Sequence, residues 1–171
     1  MKAIIFAADG FEDLELFYPQ HRLKEEGIDV KIASMQKNRI TGKHGYTSHV
    51  DLRFDEIDPK LFDILVISGG KGPEKMRLDM SALDIIKHFF DEQKVVAAIC
   101  HGPQMLISAR VIKDRKATSY IGIKDDIIAA GAEYLDQEVV VDNNLITSRH
   151  PADLYAFGRE LVKLIRKPGI M

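Results

Sequence analysis

The single cysteine of the chain, Cys100, closes the apolar run Val95-Val96-Ala97-Ala98-Ile99 and is followed at once by His101-Gly102-Pro103. That order reads as a buried strand, a sharp turn and a helix beginning at Pro103, whose missing N–H suits a first helical position. A thiol at such an elbow projects from a sheet edge and lies at a helix N-terminus, where the thiolate is favoured. Backbone N–H groups of the same turn can receive an oxyanion. The chemistry implied is nucleophilic attack on an electrophilic carbonyl. The pattern parallels the serine elbow Gly-x-Ser-x-Gly, although Ala98 stands where the first glycine belongs. A lone cysteine is more often a buried structural thiol, but the strand-turn-helix context favours the nucleophile.

Four further groups could complete such a site. His101 is a candidate base, provided that its ring swings back toward the sulfur and a carboxylate orients it. Glu74, just after Gly69-Gly70-Lys71-Gly72-Pro73, occupies a turn that should share the edge with Cys100, although its plainer reading is an acid at a helix start. Glu12 carries the same plain reading. If it touched the sulfur it would serve better protonated, because an ionised neighbour raises a thiol pKa. Gly69-Gly70 reads as a tight turn, a backbone donor site, or both. The stretch is not a phosphate loop: no third glycine follows, and no Gly-x-x-x-x-Gly-Lys-Ser/Thr occurs. The six histidines are dispersed without a zinc-binding pair, so no metal or cofactor is expected. His44 and His49 differ in strand parity and read as surface residues.

These groups need a scaffold. Residues 2–8 and 62–68 are short apolar runs ending in Asp9-Gly10 and Gly69-Gly70, and 29–35 alternates, all as strands do. Residues 12–26 read as a helix with Glu12, Asp13 and Glu15 in its first turn. Leu14, Phe17 and Tyr18 would share its apolar face, Pro19 should kink or divide it, and Gly27 would stop it. Residues 38–58, with two glycines and alternating polarity, suggest an antiparallel excursion. Ser81 can cap a helix bearing Leu83, Ile86, Phe89 and Phe90 on one side. A short strand over 116–120, a helix from Lys124 to Ala130 and a hairpin around Asp142-Asn143-Asn144 follow. A last helix begins near Pro151 and ends at Pro168-Gly169. Strands alternating with helices imply one α/β domain over 1–171, with a mostly parallel sheet covered on both faces. Ligands bind such sheets at the carboxyl ends of the strands, where the turns 9–12, 69–74 and 100–103 should meet.

The bulk numbers exclude other classes. An apolar fraction of 46%, a charged fraction of 29% and a net charge of −2 fit a soluble protein and offer no nucleic-acid footprint. No apolar run approaches the ~20 residues of a membrane span. A single cysteine suits a reducing, cytoplasmic setting.

Taken together, Ala98-Ile99-Cys100-His101-Gly102-Pro103-Gln104, Glu12-Asp13-x-Glu15, Gly69-Gly70 with Glu74, Thr118-Ser119-Tyr120, Ile121-Gly122-Ile123-Lys124-Asp125-Asp126 and Ser148-Arg149-His150-Pro151-Ala152-Asp153-Leu154-Tyr155 resemble the PfpI-type intracellular proteases. These belong with the parkinsonism-associated deglycase and the class I glutamine amidotransferase fold. The resemblance runs over essentially the whole chain. It implies a flavodoxin-like three-layer sandwich with Cys100 as nucleophile, His101 as base and Glu12 hydrogen-bonded to the sulfur. It also implies Gly70 as oxyanion donor, Tyr120 in the pocket, and Glu74 supplied by a neighbouring subunit of a dimer or hexameric ring. His150 stands where relatives often differ and receives no role from it. The implied substrates are peptides, or methylglyoxal and its amine adducts; the absence of a long loop or extended groove makes small reactive carbonyls chemically easier. A non-enzymatic alternative is a redox sensor oxidised at Cys100, or a stress-protective holdase.

Overall fold

The N-terminal apolar run forms strand β1 (Lys2–Phe6) in the computed structural model of the chain, which describes residues 1–167. Helix α1 (Asp13–Glu25) follows, then β2 (Asp29–Ser34), the short pair β3 (Arg39–Thr41) and β4 (Thr47–His49), and β5 (Leu52–Arg53). Next come β6 (Ile64–Ile67), α2 (Gly72–Met76), α3 (Met80–Asp91), β7 (Val95–Ile99) and α4 (Pro103–Ser108). The chain continues through β8 (Lys116–Ala117), α5 (Lys124–Ala129), β9 (Glu133–Tyr134), β10 (Val139–Asp142), β11 (Leu145–Ser148) and α6 (Leu154–Ile165). The expected stop at Pro168-Gly169 lies outside the described residues.

The main sheet runs in the order β10-β11-β7-β6-β1-β2-β5, parallel throughout except for the β10–β11 hairpin. Every residue of β6 and β7 is buried, because both faces are covered and no position can afford the polar alternation of a half-exposed strand. Alternate residues serve opposite cores. Ile4, Leu65, Ile67 and Val96 pack toward Ile86, Phe89, Met105 and Leu106, from α3 and α4. Ile5, Val66 and Ala97 pack toward Leu16 of α1 and Phe157 and Leu161 of α6. The result is the mostly parallel sheet covered on both faces expected from the residues, in the three-layer, flavodoxin-like α/β sandwich that the resemblance implies. β3 and β4 form a separate antiparallel pair, the excursion expected between 38 and 58.

Several local expectations fail for tertiary reasons. Pro19 does not divide α1; it is buried, and packing outweighs the loss of one backbone hydrogen bond. Leu14 is 57% exposed, while Glu15, Leu16, Pro19 and Leu23 face inward. Of the expected apolar face, Leu14 therefore turns outward, while Phe17 and Tyr18 are partly buried against the core. Helix α3 is capped by Asp79, whose carboxylate accepts from the Ala82 N–H at 3.2 Å, and not by Ser81. The strand expected over 116–120 is only the two-residue β8.

Candidate active site

Cys100 sits where β7 turns toward α4, with φ of 61°. A non-glycine residue held in the left-handed region carries strain of about 1–3 kcal/mol and persists only where its surroundings impose it. Here they do. The Cys100 N–H donates to the Ser148 carbonyl at the end of β11 at 3.0 Å, and the Cys100 carbonyl accepts from the Tyr120 N–H at 3.0 Å. Held in this way, the sulfur faces a cavity of about 530 Å³ at the carboxyl ends of the strands. Its Sγ lies 3.2 Å from Nδ1 of His101, so the ring does swing back onto its own neighbour. Tyr120 holds the ring there by stacking, with centroids 4.8 Å apart.

The carboxyl group at the sulfur is Glu15, not Glu12. Glu15 is completely buried on the inner face of α1, and a Cβ at Gly69 would collide with its carboxyl oxygen and with the Cβ of Cys100. Neither Glu15 oxygen has a hydrogen-bond partner of good geometry; the polar groups nearest to it are the Cys100 thiol and the Gly69 N–H. Burial, followed by the charge of Glu12, pushes Glu15 up to about 8. Burial, followed by repulsion from an ionised Glu15, pushes the Cys100 thiol up to about 12, against the N–H groups of Gly70 and His101 that favour the thiolate. The expected lowering by the helix terminus is therefore outweighed. Sulfur and carboxyl do not share the pocket as two anions: through neutral pH Glu15 keeps its proton, and the repulsive part of the thiol's shift disappears with it.

Glu12 precedes the first turn of α1 and points across the cavity wall. It takes Lys43 Nζ at 3.0 Å and lies 3.4 Å from His44 Nε2, both in the β3–β4 turn. That turn is latched to α1 by Asp13, whose carboxylate accepts the His44 and Tyr46 N–H groups at 2.9 and 3.0 Å. Ligand atoms of Glu12, Asp13 and His44 lie within 4.8 Å of one another, but these hydrogen bonds and the Lys43 pair already account for both carboxylates. His44 is thus exposed, as expected, and also tied to the site's rim.

Gly70 has φ of 79°, and any side chain there would meet the backbone of Gly10, Phe11 and Glu12. This close contact aims its N–H at the Cys100 sulfur, beside the place where an oxyanion would form. Glu74 lines the same cavity from α2, and its charge acts on His101, but among the described residues no hydrogen bond joins them. Burial pulls the His101 pKa below its ordinary value; Glu74 opposes this and Lys43 reinforces it.

The structure therefore brings Cys100, His101, Gly70, Tyr120, Glu12 and Glu74 to one cavity. Sequence reasoning missed Glu15, Lys43 and His150, which line it as well. The Glu12-Asp13-x-Glu15 spacing held the signal for Glu15, since helix positions three apart are neighbours. Lys43 was marked only by its place between two nearby glycines. A second cavity of about 530 Å³, between Met35, Arg53 and Asp79, is lined by neither a cysteine nor a histidine.

Fold and site together define an α/β sandwich with a cysteine elbow flanked by an adjacent histidine and a buried carboxyl group. The chain belongs to the DJ-1/PfpI family, whose pattern matches residues 1–164. It is 61% identical over 166 residues to Deglycase TK1284 of Thermococcus kodakarensis and 60% identical over 166 residues to Deglycase PfpI of Pyrococcus furiosus, covering 97% of this chain and 100% of each relative. Protein/nucleic acid deglycase 2 of Escherichia coli is 42% identical over 167 residues, 96% of this chain and 97% of that one. Among solved structures, a two-domain protein with DJ-1/ThiJ/PfpI-like and ferritin-like domains from Anabaena variabilis matches with a TM-score of 0.95 and 36% identity. That match covers 99% of this chain and 49% of the other. Among the described residues, no helix is long and apolar enough to cross a membrane.

Proposed function

We propose that the chain is a cysteine-dependent hydrolase of the deglycase type, acting through Cys100 on small reactive carbonyls and their amine adducts. One observation carries this reading: Sγ of Cys100 stands 3.2 Å from a histidine nitrogen, on a strained elbow, with the Gly70 N–H directed at the sulfur. The names of the archaeal and bacterial relatives support it. With its pKa lowered, His101 is neutral near pH 7 and can take the thiol proton as the S–C bond forms. With methylglyoxal, the carbonyl π pair becomes an oxyanion beside Gly70, and this oxyanion takes the proton from His101 to give a hemithioacetal. From an amine adduct the same species forms as the C–N bond breaks and the amine leaves with a proton. Isomerisation to a thioester and attack by water then release lactate and the thiol. Protonated Glu15 stabilises the thiolate without adding a second charge.

The carboxylate that orients His101 is assigned to Glu74 of a second copy, in a dimer or hexameric ring. Glu74 is exposed at the start of α2, and Leu78 just beyond it is 81% exposed, a surface suited to burial against another subunit. A single free thiol suits a reducing cytosol. The test is turnover of methylglyoxal, of a methylglyoxal-modified peptide and of a fluorogenic peptide, beside a Cys100→Ser control. Conversion of the first two, abolished in the control, supports this reading. Conversion of the fluorogenic peptide alone makes the protein a peptidase. No turnover, with peroxide oxidation confined to Cys100, makes it a redox sensor.

A further inference from the structure

The isomerisation of the hemithioacetal needs a proton acceptor at carbon, beside the one that His101 provides at sulfur. Isomerisation removes a proton from the carbon bonded to sulfur and delivers one to the neighbouring carbon. His101 is stacked on Tyr120 with Nδ1 held at the sulfur, and the proton it takes there goes to the hemithioacetal oxygen, so it serves the addition step. Glu15 is buried beneath the sulfur, and Glu12 is committed to Lys43 and His44. A second imidazole lines the same cavity: His150.

His150 is placed for this by the sheet itself. Strands β6 and β11 flank β7 on opposite sides, so the Gly70 donor and His150 stand on opposite flanks of Cys100. The Ser148 carbonyl that holds the Cys100 N–H at 3.0 Å is two residues before His150. Nε2 of His150 lies 3.7 Å from Oδ2 of Asp153. Asp153 is only 4% exposed and is fixed by Arg149, whose Nε and Nη2 reach its two oxygens at 2.8 and 3.2 Å. Arg149 is held in turn by Asp136 at 2.9 Å. At 3.7 Å the fixed carboxylate attracts the ring as a charge contact, longer than a hydrogen bond, and a neighbouring carboxylate is a usual companion of a proton-transferring histidine.

Resting on the hemithioacetal reading, we propose that His150 is the second proton-transferring residue of the site, with Asp153 as its positioning residue. His150 accepts the proton from the sulfur-bearing carbon while that C–H electron pair forms a double bond to the neighbouring carbon, whose carbonyl oxygen takes the charge. His150 then returns the proton to that neighbouring carbon, and the hydroxyl on the sulfur-bearing carbon passes its proton to the charged oxygen as the thioester carbonyl forms. Aldehyde carbon is oxidised and ketone carbon reduced within one molecule, so no external oxidant or reductant enters.

The test compares wild type, Cys100→Ser, His150→Gln, His150→Ala, Asp153→Asn and the Asp153→Asn/His150→Gln double variant in the full chain. Methylglyoxal turnover is measured beside the rate of Cys100 alkylation by iodoacetamide, which needs the thiol but no proton transfer at carbon. A missing general acid–base group costs typically 10²–10⁴-fold. For His150→Gln the expected result is at least a tenfold fall in kcat, alkylation within twofold of wild type, and an intact-mass adduct of methylglyoxal that persists. Added imidazole should restore turnover in His150→Ala. Asp153→Asn should lower kcat with KM unchanged, and should have no further effect in the His150→Gln background. Wild-type kcat in His150→Gln, with Cys100→Ser inactive, overturns the role of His150 and leaves the hydrolase reading standing. A wild-type protein that does not convert methylglyoxal, or a Cys100→Ser variant that does, overturns that reading and this inference with it.

Discussion

The carboxyl group of Glu15 occupies the space that a side chain at residue 69 would need, and so lies against the thiol of Cys100. Its neutrality is what allows a thiolate to form there at all. The site should therefore work between two limits: His101 must be unprotonated, and Glu15 must keep its proton. The acid limb of kcat/KM should fall below the ordinary histidine value of 6.5, and the alkaline limb near 8. Glu15→Gln keeps a neutral donor, so its alkaline limb should move upward, whereas Glu15→Leu should lose activity across the range. An alkaline limb unchanged in Glu15→Gln would assign it to another group.

The same carboxyl predicts a pH dependence of stability. Its folded pKa, about 8, is raised above the ordinary 4.5. Below 4.5 both folded and unfolded states hold the proton and the contribution is fully present. As pH rises through about 8, the unfolded chain has released a proton that the fold retained, and the contribution is lost. The difference corresponds to on the order of 4 to 5 kcal/mol. Glu15→Gln should therefore melt higher than wild type at pH 8 and lose that advantage near pH 4, as read by calorimetry at the two values.

Glu12 provides the contrast. Its partner Lys43 is well exposed, and such pairs contribute roughly 0–1 kcal/mol. Glu12→Gln should change the melting temperature little and, because the charge of Glu12 helps to raise Glu15, move the alkaline limb downward without removing it. It should also weaken substrate binding, because Glu12 and Lys43 form one wall of the cavity. Loss of the alkaline limb in Glu12→Gln would return the sulfur's carboxyl partner to Glu12.

How far the sequence reveals this site depends on which forces are local. The unbroken apolar runs Ile64–Ile67 and Val95–Ile99 announce strands covered on both faces, and Cys100 beside Gly102-Pro103 announces the elbow, because strand burial and helix initiation are written in adjacent residues. Glu12 and Glu15 are not distinguishable in this way. Both are acids at a helix start, and only the docking of α1 decides which one turns inward. Leu14 misdirects the reading, since Phe17 and Tyr18 do pack against the core but the buried face gives one of its places to Glu15. The thiol's pKa is hidden for the same reason: the helix terminus is visible in the sequence, but the burial that outweighs it is a property of the assembled fold.

Gly69 and Gly70 are predicted to resist substitution for different reasons. A methyl group at Gly69 would strike the Glu15 carboxyl, and one at Gly70 would strike backbone atoms while the residue is held at φ of 79°. Gly70→Ala should cost roughly 2–4 kcal/mol from strain and overpacking and reduce turnover by displacing the N–H beside the sulfur. Gly69→Ala should push Glu15 away from Cys100 and alter the alkaline limb. Urea melts and pH profiles of the two variants separate these effects; equal profiles would mean that Gly69 acts only through packing.

Glu74 and Cys100 allow the assembly itself to be tested. Within one chain Glu74 influences the charge of His101 without a hydrogen bond to it. If the orienting carboxylate comes from a second copy, Glu74→Gln and Cys100→Ser subunits should each be inactive alone. Mixed after unfolding and refolding together, they form some interfaces that pair an intact Cys100-His101 with an intact Glu74. Random pairing in equal amounts then restores up to about a quarter of wild-type activity, because each interface site needs two independent wild-type contributions. If Glu74 acts within its own chain, no mixture can bring the two intact residues together and activity stays at the level of the separate variants. Sedimentation of the mixed sample shows whether subunits have exchanged, so that a lack of activity is read as action within the chain only where mixed assemblies are present.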